Sequence, residues 1–101
     1  MSELLDLDQV AARTDAWEPD WAVNPGEILR EKLGEMGLSQ FHAADRMGVS
    51  QAHMSHLCTG RTGIGPATAL KLEVLTGINA NVWASLSARY AVAQERKRQA
   101  A

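Results

Sequence analysis

The sequence predicts an all-α fold with five helices, and three observations support this prediction. Four successive segments begin with a helix-start signal and end at a glycine, the residue that most often follows a helix. Apolar residues within these segments recur at helical spacing. No segment shows the alternating pattern of a strand. The chain has 101 residues, about the size of one small domain.

The first helix is predicted in "NPGEILREKLGEMG", from Asn24 onwards. Asn24 suits the N-cap, Pro25 suits the first helical position, and Glu27 stands where a capping box would close. The apolar residues expected on the inner face of this helix are Ile28, Leu29, Leu33 and Met36.

The second and third helices, "LSQFHAADRMG" and "VSQAHMSHLCTG", are joined by a very short turn. Ser39 and Ser50 are their predicted caps, and Gly48 ends the second helix. Two short helices connected in this way are typical of a helix-turn-helix. The residues expected to face the core are Ala43, Ala44, Met47, Val49, Met54 and Leu57.

The fourth and fifth helices are predicted in "GPATALKLEVLTG" and "NANVWASLSARYAVAQERKRQ". Pro66 suits the first turn of the fourth helix, and Gly77 ends it. The inner residues expected in the fourth helix are Ala69, Leu70, Leu72 and Leu75. Those expected in the fifth helix are Val82, Trp83, Leu86, Tyr90 and Val92.

The charges divide the chain into parts of opposite sign, although the whole chain carries a net charge of only −2. Residues 1–24 contain six acidic residues and one basic residue, whereas residues 25–101 contain nine basic and six acidic residues. We therefore predict an acidic N-terminal arm over residues 1–23, a helix-turn-helix domain over residues 24–95 and a basic tail over residues 96–101.

Several classes of protein are disfavoured by the sequence. There is no apolar run long enough for a membrane span and no secretory signal at the start, so we expect a cytosolic protein. The single cysteine, Cys58, cannot form an internal disulfide. The glycine-rich "GRTGIGPAT" does not have phosphate-loop or dinucleotide-binding spacing. No catalytic constellation stands out, and we expect neither an enzyme nor a cofactor.

The residues left outside the core predict the function of the third helix. They are Gln51, Ala52, His53, Ser55 and His56. Glutamine can pair with adenine, and histidine can donate to guanine, so a helix carrying them can read bases in the major groove. The alternative is that Gln51 and His56 are merely solvated, and His53 is equally well explained by simple exposure. A metal site using His53, His56 and Cys58 is disfavoured, because Cys58 points to another side of the helix.

The segment "LSQFHAADRMGVSQAHMSHLCTGR" resembles the Cro/C1-type (Xre) helix-turn-helix family. The flanking "NPGEILREKL" and the last-helix residues Trp83, Leu86 and Tyr90 resemble, more narrowly, the HigA-type antitoxin branch. The resemblance covers residues 24 to about 93. It implies a homodimer that binds double-stranded operator DNA, represses its own promoter and neutralises a partner toxin, usually a small basic ribonuclease.

The resemblance also implies roles for individual positions. Gln40 and Ser50, with Thr59 and Arg61 after the third helix, match positions that contact the DNA backbone. The sequence departs from the family pattern at four places: Ala43 stands for a leucine, Thr59 for an asparagine, Gly65 for a Ser/Thr cap, and His56 for an arginine or lysine.

Two further surfaces are predicted. Tryptophan is common at binding hot spots, so the acidic arm is a candidate toxin-binding segment. Its residues are Asp15, Trp17, Glu18, Asp20 and Trp21. The alternatives are that the tryptophans fold back onto the domain, or that the arm only solubilises the chain. Trp83, Leu86 and Tyr90 are candidates for a dimer interface, although Trp83 is most simply a core residue.

Two other functions are consistent with the same residues. One is a stand-alone phage-type or bacterial repressor without a toxin partner. The other is a protein-interaction module whose helix-turn-helix no longer binds DNA.

Overall fold

The computed structural model describes residues 22–100, which form five α-helices and no strand. The helices are α1 (Pro25–Met36), α2 (Gln40–Met47), α3 (Gln51–Thr59), α4 (Pro66–Thr76) and α5 (Ala80–Ala100). The predicted all-α, helix-turn-helix fold is therefore confirmed. Helix α5 continues through residues 96–100, the segment described above as a basic tail. None of these helices is long and apolar enough to cross a bilayer.

The helix boundaries follow from the predicted caps. The Ser39 and Ser50 hydroxyls accept the backbone N–H groups of His42 and His53, at 3.1 Å and 3.0 Å. Gly48 ends α2 in the left-handed region with φ of 69°, where a residue with a Cβ would be strained. The turn is then closed by the Val49 N–H, which donates to Ala44 O at 3.0 Å. This bond brings the half-buried Val49 side chain against the core, as the sequence predicts.

One apolar core is shared by all five helices. α3 packs on both α1 and α2, α2 also contacts α4, and α5 lies across α4 and α1. Ala43 and Ala44 have almost no exposed surface, and their small side chains let neighbouring helices approach closely. The buried apolar residues are Leu29, Leu33, Ala43, Ala44, Met47, Met54, Leu57, Cys58, Ile64, Ala69, Leu72 and Trp83.

Buried polar groups brace α5 against the domain. The Thr76 hydroxyl donates to Leu72 O at 2.7 Å and accepts the Trp83 Nε1–H at 3.3 Å. The Ser87 hydroxyl accepts the Ile64 N–H at 2.8 Å. No buried side-chain polar atom within residues 22–100 lacks a partner. Because an unmade buried hydrogen bond costs about 1–3 kcal/mol, these bonds favour one orientation of α5.

Four residues that the sequence places on inner helix faces are exposed in the structure. Leu70 is 58% exposed, and Met36, Val82 and Val92 are also exposed. On α4 the buried residues Ala69, Leu72 and Thr76 define a narrow stripe, and Leu70 lies about 100° away from Ala69 around the helix axis. Val92 lies on the second half of α5, where no residue is fully buried.

The N-terminus of α1 is packed directly against the end of α3. A Cβ on Gly26 would lie 2.5 Å from Cys58 O and 2.6 Å from Leu57 O. Since neither backbone carbonyl can move without disturbing α3, only glycine fits at this position.

Gly26→Ala should therefore destabilise the protein by about 1–3 kcal/mol through overpacking. Gly34→Ala is the matched control, because Gly34 lies in the same helix and has open space around its Cβ position. It should stabilise the protein by about 0.5–1 kcal/mol. Urea unfolding monitored by circular dichroism measures both changes. Equal effects of the two substitutions would contradict this account of the contact.

Candidate nucleic-acid interface

Helix α3 presents one continuous exposed face. Met54, Leu57 and Cys58 are buried on its other side. The exposed residues follow the spacing i, i+1, i+4, i+5 and i+8, which places them on one face of a helix. They are Gln51, Ala52, Ser55, His56 and Thr59. Four of the five predicted base-reading residues are thereby brought together on a polar face without lysine or arginine.

His53, the fifth predicted base-reading residue, lies apart from this face. Its side chain is half-buried, because its position on the helix falls between the exposed face and Leu57. Its backbone N–H is bound to the Ser50 hydroxyl. That bond leaves the hydroxyl proton of Ser50 available to an acceptor outside the helix.

The chain after α3 folds back onto the helix and fixes the position of Arg61. Gly60 has φ of 79°, and the Arg61 N–H donates to His56 O at 2.9 Å. The Arg61 side chain is exposed, beside the exposed end of α3. Arg61 is therefore the first lysine or arginine after the uncharged face, which makes it a candidate for contact with a DNA phosphate.

The Thr59 hydroxyl faces its own helix. Its oxygen lies 3.1 Å from Ser55 O and 3.2 Å from His56 O, and it donates to these carbonyls. A contact between this hydroxyl and a DNA phosphate would require it to leave them. Gln40, by contrast, is the exposed first residue of α2, where free N–H groups and the helix dipole favour a phosphate.

Asn24 is a structural residue of the site whose second role is not evident from the sequence. Its Oδ1 accepts the Gly26 N–H at 2.9 Å, as expected for an N-cap. Its Nδ2 also donates to Thr59 O at 3.1 Å, at the end of α3. One amide therefore joins the start of α1 to the end of the candidate reading helix. The cap could be predicted from "NPGE", but the contact across 35 residues required the packing of α1 on α3.

Cys58 cannot serve as a ligand beside the histidines. It is fully buried, whereas His56 is exposed. Burial raises the pKa of the Cys58 thiol, although the charge of Arg30 acts in the opposite direction. A neutral thiol is a poor metal ligand. No cluster of three candidate ligands is found within residues 22–100.

Comparison with known proteins shows which proteins are similar to this chain in sequence and fold. No family model matches the chain. The uncharacterised helix-turn-helix transcriptional regulator YddM of Escherichia coli is 32% identical over 73 residues, covering 72% of this chain and 78% of that protein. The Pseudomonas aeruginosa antitoxin HigA, solved with the higBA promoter, aligns with a TM-score of 0.73 and 27% identity, over 79% of this chain and 88% of that one. A HigA-family addiction-module antidote protein of Coxiella burnetii aligns with a TM-score of 0.71 and 26% identity, over 77% and 86%.

The chain belongs to the HigA-type branch of the Cro/C1 helix-turn-helix family. The relatives are DNA-binding antitoxins and transcription regulators, not enzymes. The resemblance seen in the sequence is thus confirmed.

The structure bears differently on the two further surfaces predicted for this HigA-type protein, the dimer interface and the toxin-binding segment. Trp83 is fully buried within the single chain and belongs to the core, so it has no surface to offer a second copy. Leu86 and Tyr90 are half-buried and remain candidates for a dimer interface. The proposed toxin-binding residues Asp15, Trp17, Glu18, Asp20 and Trp21 lie outside the described residues.

The double role of Asn24 can be tested by replacing only its side-chain NH₂ group. Asn24→Asp keeps an acceptor for the Gly26 N–H, but it replaces the donor to Thr59 O with an anion. We expect a loss of about 1 kcal/mol, the usual worth of such a bond. Asn79→Asp is the control, because Asn79 Oδ1 also accepts a backbone N–H, that of Asn81, at 2.8 Å. The control should change stability by less than about 0.5 kcal/mol. Thermal unfolding of both variants is the measurement, and a neutral Asn24→Asp would contradict the proposed link.

Proposed function

We propose that this HigA-type chain is an antitoxin that represses its own operon as a dimer and neutralises a small basic ribonuclease. The observation that carries the DNA-binding part is the exposed face of α3. Its opposite side is fully buried, so α3 is held firmly while Gln51, Ala52, Ser55 and His56 remain available. The likeness to the P. aeruginosa antitoxin solved with its promoter supports this assignment.

The division of labour within the site follows from its charges. The face of α3 carries no fixed positive charge, so it reads base edges by hydrogen bonds and by contact of Ala52 with a thymine methyl. Contacts with the DNA backbone fall to the flanks, namely Gln40, Ser50 and Arg61, with Thr59 as the further candidate. Since few cations contribute, the affinity of one subunit is modest and its salt dependence shallow.

Dimerisation compensates for the modest affinity of one subunit for DNA. Val82, Leu86, Tyr90 and Ala93 lie within about 80° of one another on α5, and each is exposed or half-buried. We propose this stripe as the interface between two copies. Two-fold symmetry would then place the two α3 helices in successive major grooves, about 34–36 Å apart.

Base reading by α3 is tested by gel shift on the promoter upstream of the gene. Gln51→Ala should weaken binding by about 1–3 kcal/mol, roughly 5-fold to 160-fold, and relax specificity at one base pair. Gln99→Ala, which removes an exposed glutamine on α5, should leave binding unchanged. Arg61→Ala should weaken binding to all sequences and lower the slope of log K against log salt by about 1. Equal behaviour of Gln51→Ala and Gln99→Ala would exclude base reading by Gln51.

The dimer is tested by analytical ultracentrifugation. Leu86→Glu should give a monomer and reduce operator affinity, because one subunit contacts only one half-site. Leu70→Glu is the control, since Leu70 is an exposed leucine that belongs to α4 and not to the stripe. A Leu86→Glu variant that remains folded and dimeric would place the interface elsewhere.

The toxin partner is tested with the protein encoded by the neighbouring reading frame. Removal of residues 1–21 should abolish neutralisation while operator binding persists, because an acidic arm complements a basic toxin surface. Removal of residues 96–101 is the control and should not affect neutralisation. Full neutralisation of the toxin by the chain without residues 1–21 would contradict toxin binding by the arm. A full-length chain that binds the operator but neutralises no neighbouring protein would instead identify a stand-alone repressor.

A further inference from the structure

A groove lies beneath the second half of α5. Its volume is about 340 Å³. The start of α1 and the loop after α3 form one wall, contributing Pro25 and Arg61, and α5 forms the other, contributing Tyr90, Ala91 and Gln94. It is separate from the proposed reading face of α3 except at Arg61, which borders both.

The groove exists because α5 is longer than the body beneath it. A helix of 21 residues is about 32 Å long, but only Trp83 and Ser87 are buried along it. Ala91, Gln94 and Arg98 continue the Ser87 side of the helix at i+4, i+7 and i+11. No helix in the described part of the chain covers this side.

We propose that this groove is occupied in cis by the segment of the same chain that precedes residue 22, with the indole of Trp21 seated between Pro25 and Ala91. Connectivity supports this occupant. Pro25 lines the groove, and Trp21 is four residues earlier, so its backbone is at most about 14 Å away. The wall from Tyr90 to Arg98 is about 12 Å long. The segment is therefore long enough to reach along the groove.

The chemistry of the groove also matches the segment. Pro25 and Ala91 provide apolar contact for an indole, and the Gln94 amide oxygen can accept its N–H. Arg98 is already paired with Glu95, but Arg61 has no ion-pair partner within residues 22–100. Glu18 and Asp20 adjoin Trp21 in the sequence and can supply that partner. The groove thus has a net positive rim, and the segment that precedes it in the chain is acidic and contains tryptophan.

Acrylamide quenching of tryptophan fluorescence tests the proposal on the full chain, without DNA or toxin. In a Trp17→Phe background only Trp21 and Trp83 emit, and Trp83 is fully buried. The quenchable signal therefore reports Trp21. Its quenching constant should be several-fold lower than that of a peptide of residues 13–23 carrying the same substitution, and it should not vary with protein concentration.

Matched substitutions on α5 locate the contact. Ala91→Glu places a negative side chain in the groove and should raise the quenching constant to that of the peptide. Ala88→Glu is the control, because Ala88 is also exposed on α5 but does not line the groove. It should leave the protection of Trp21 intact. Gln94→Glu, which changes charge without changing shape, should raise the constant in the same direction as Ala91→Glu.

Four results would overturn the proposal. Trp21 could be quenched as freely in the chain as in the peptide. Protection could appear only at high protein concentration, which would identify a second copy as the occupant, or only after toxin is added. Protection could also survive both Ala91→Glu and Gln94→Glu, which would place Trp21 elsewhere. None of these results depends on operator binding, and only one involves the toxin, so a failure of this proposal is distinguishable from a failure of the proposed function.

Discussion

The packing of the start of α1 against the end of α3 is the constraint on which the rest of the site depends. Gly26 has no side chain, so the first turn of α1 can approach the Leu57 and Cys58 carbonyls closely. That approach brings Asn24 within hydrogen-bonding distance of Thr59 O. The Asn24 side chain in turn lies where a Cβ on Gly60 would be. Gly26, Gly60 and the Asn24 amide thus fix the position of the end of α3, the helix that carries the candidate reading residues.

A helix held in this way suits the base reading that we propose for α3, whose exposed face carries no fixed charge. Hydrogen bonds to base edges discriminate only when donors and acceptors are held in place. Met54, Leu57 and Cys58 hold α3 from beneath, and Asn24 holds its end. The bond from the Arg61 N–H to His56 O fixes the main chain from which the nearest arginine extends.

The sequence predicted the fold well because its signals are local. The caps at Asn24, Ser39 and Ser50 and the glycine after each helix concern residues only a few positions apart, so the chain itself specifies each helix. Exposure was harder to predict. Leu70 and Val92 are apolar at helical spacing, but their burial depends on what lies opposite them, and both are exposed in the described part of the chain. The second role of Asn24 depends on the same kind of long-range contact, and the half-buried position of His53 depends on the angle at which α3 meets the core.

The position of Arg61 connects the two surfaces of the molecule. It follows the candidate reading helix, where we propose that it contacts a DNA phosphate, and it also lines the groove beneath α5. One guanidinium cannot bind a phosphate and a carboxylate of the arm at full strength, because both compete for the same donors. An arm seated in the groove as proposed would therefore oppose operator binding through Arg61. A toxin that captures the arm would release that opposition, so by linkage the partner and the operator would favour each other's binding. The Asn24 contact that holds the end of α3 lies only three residues from Trp21 in the sequence, so one contact would affect both proposed activities.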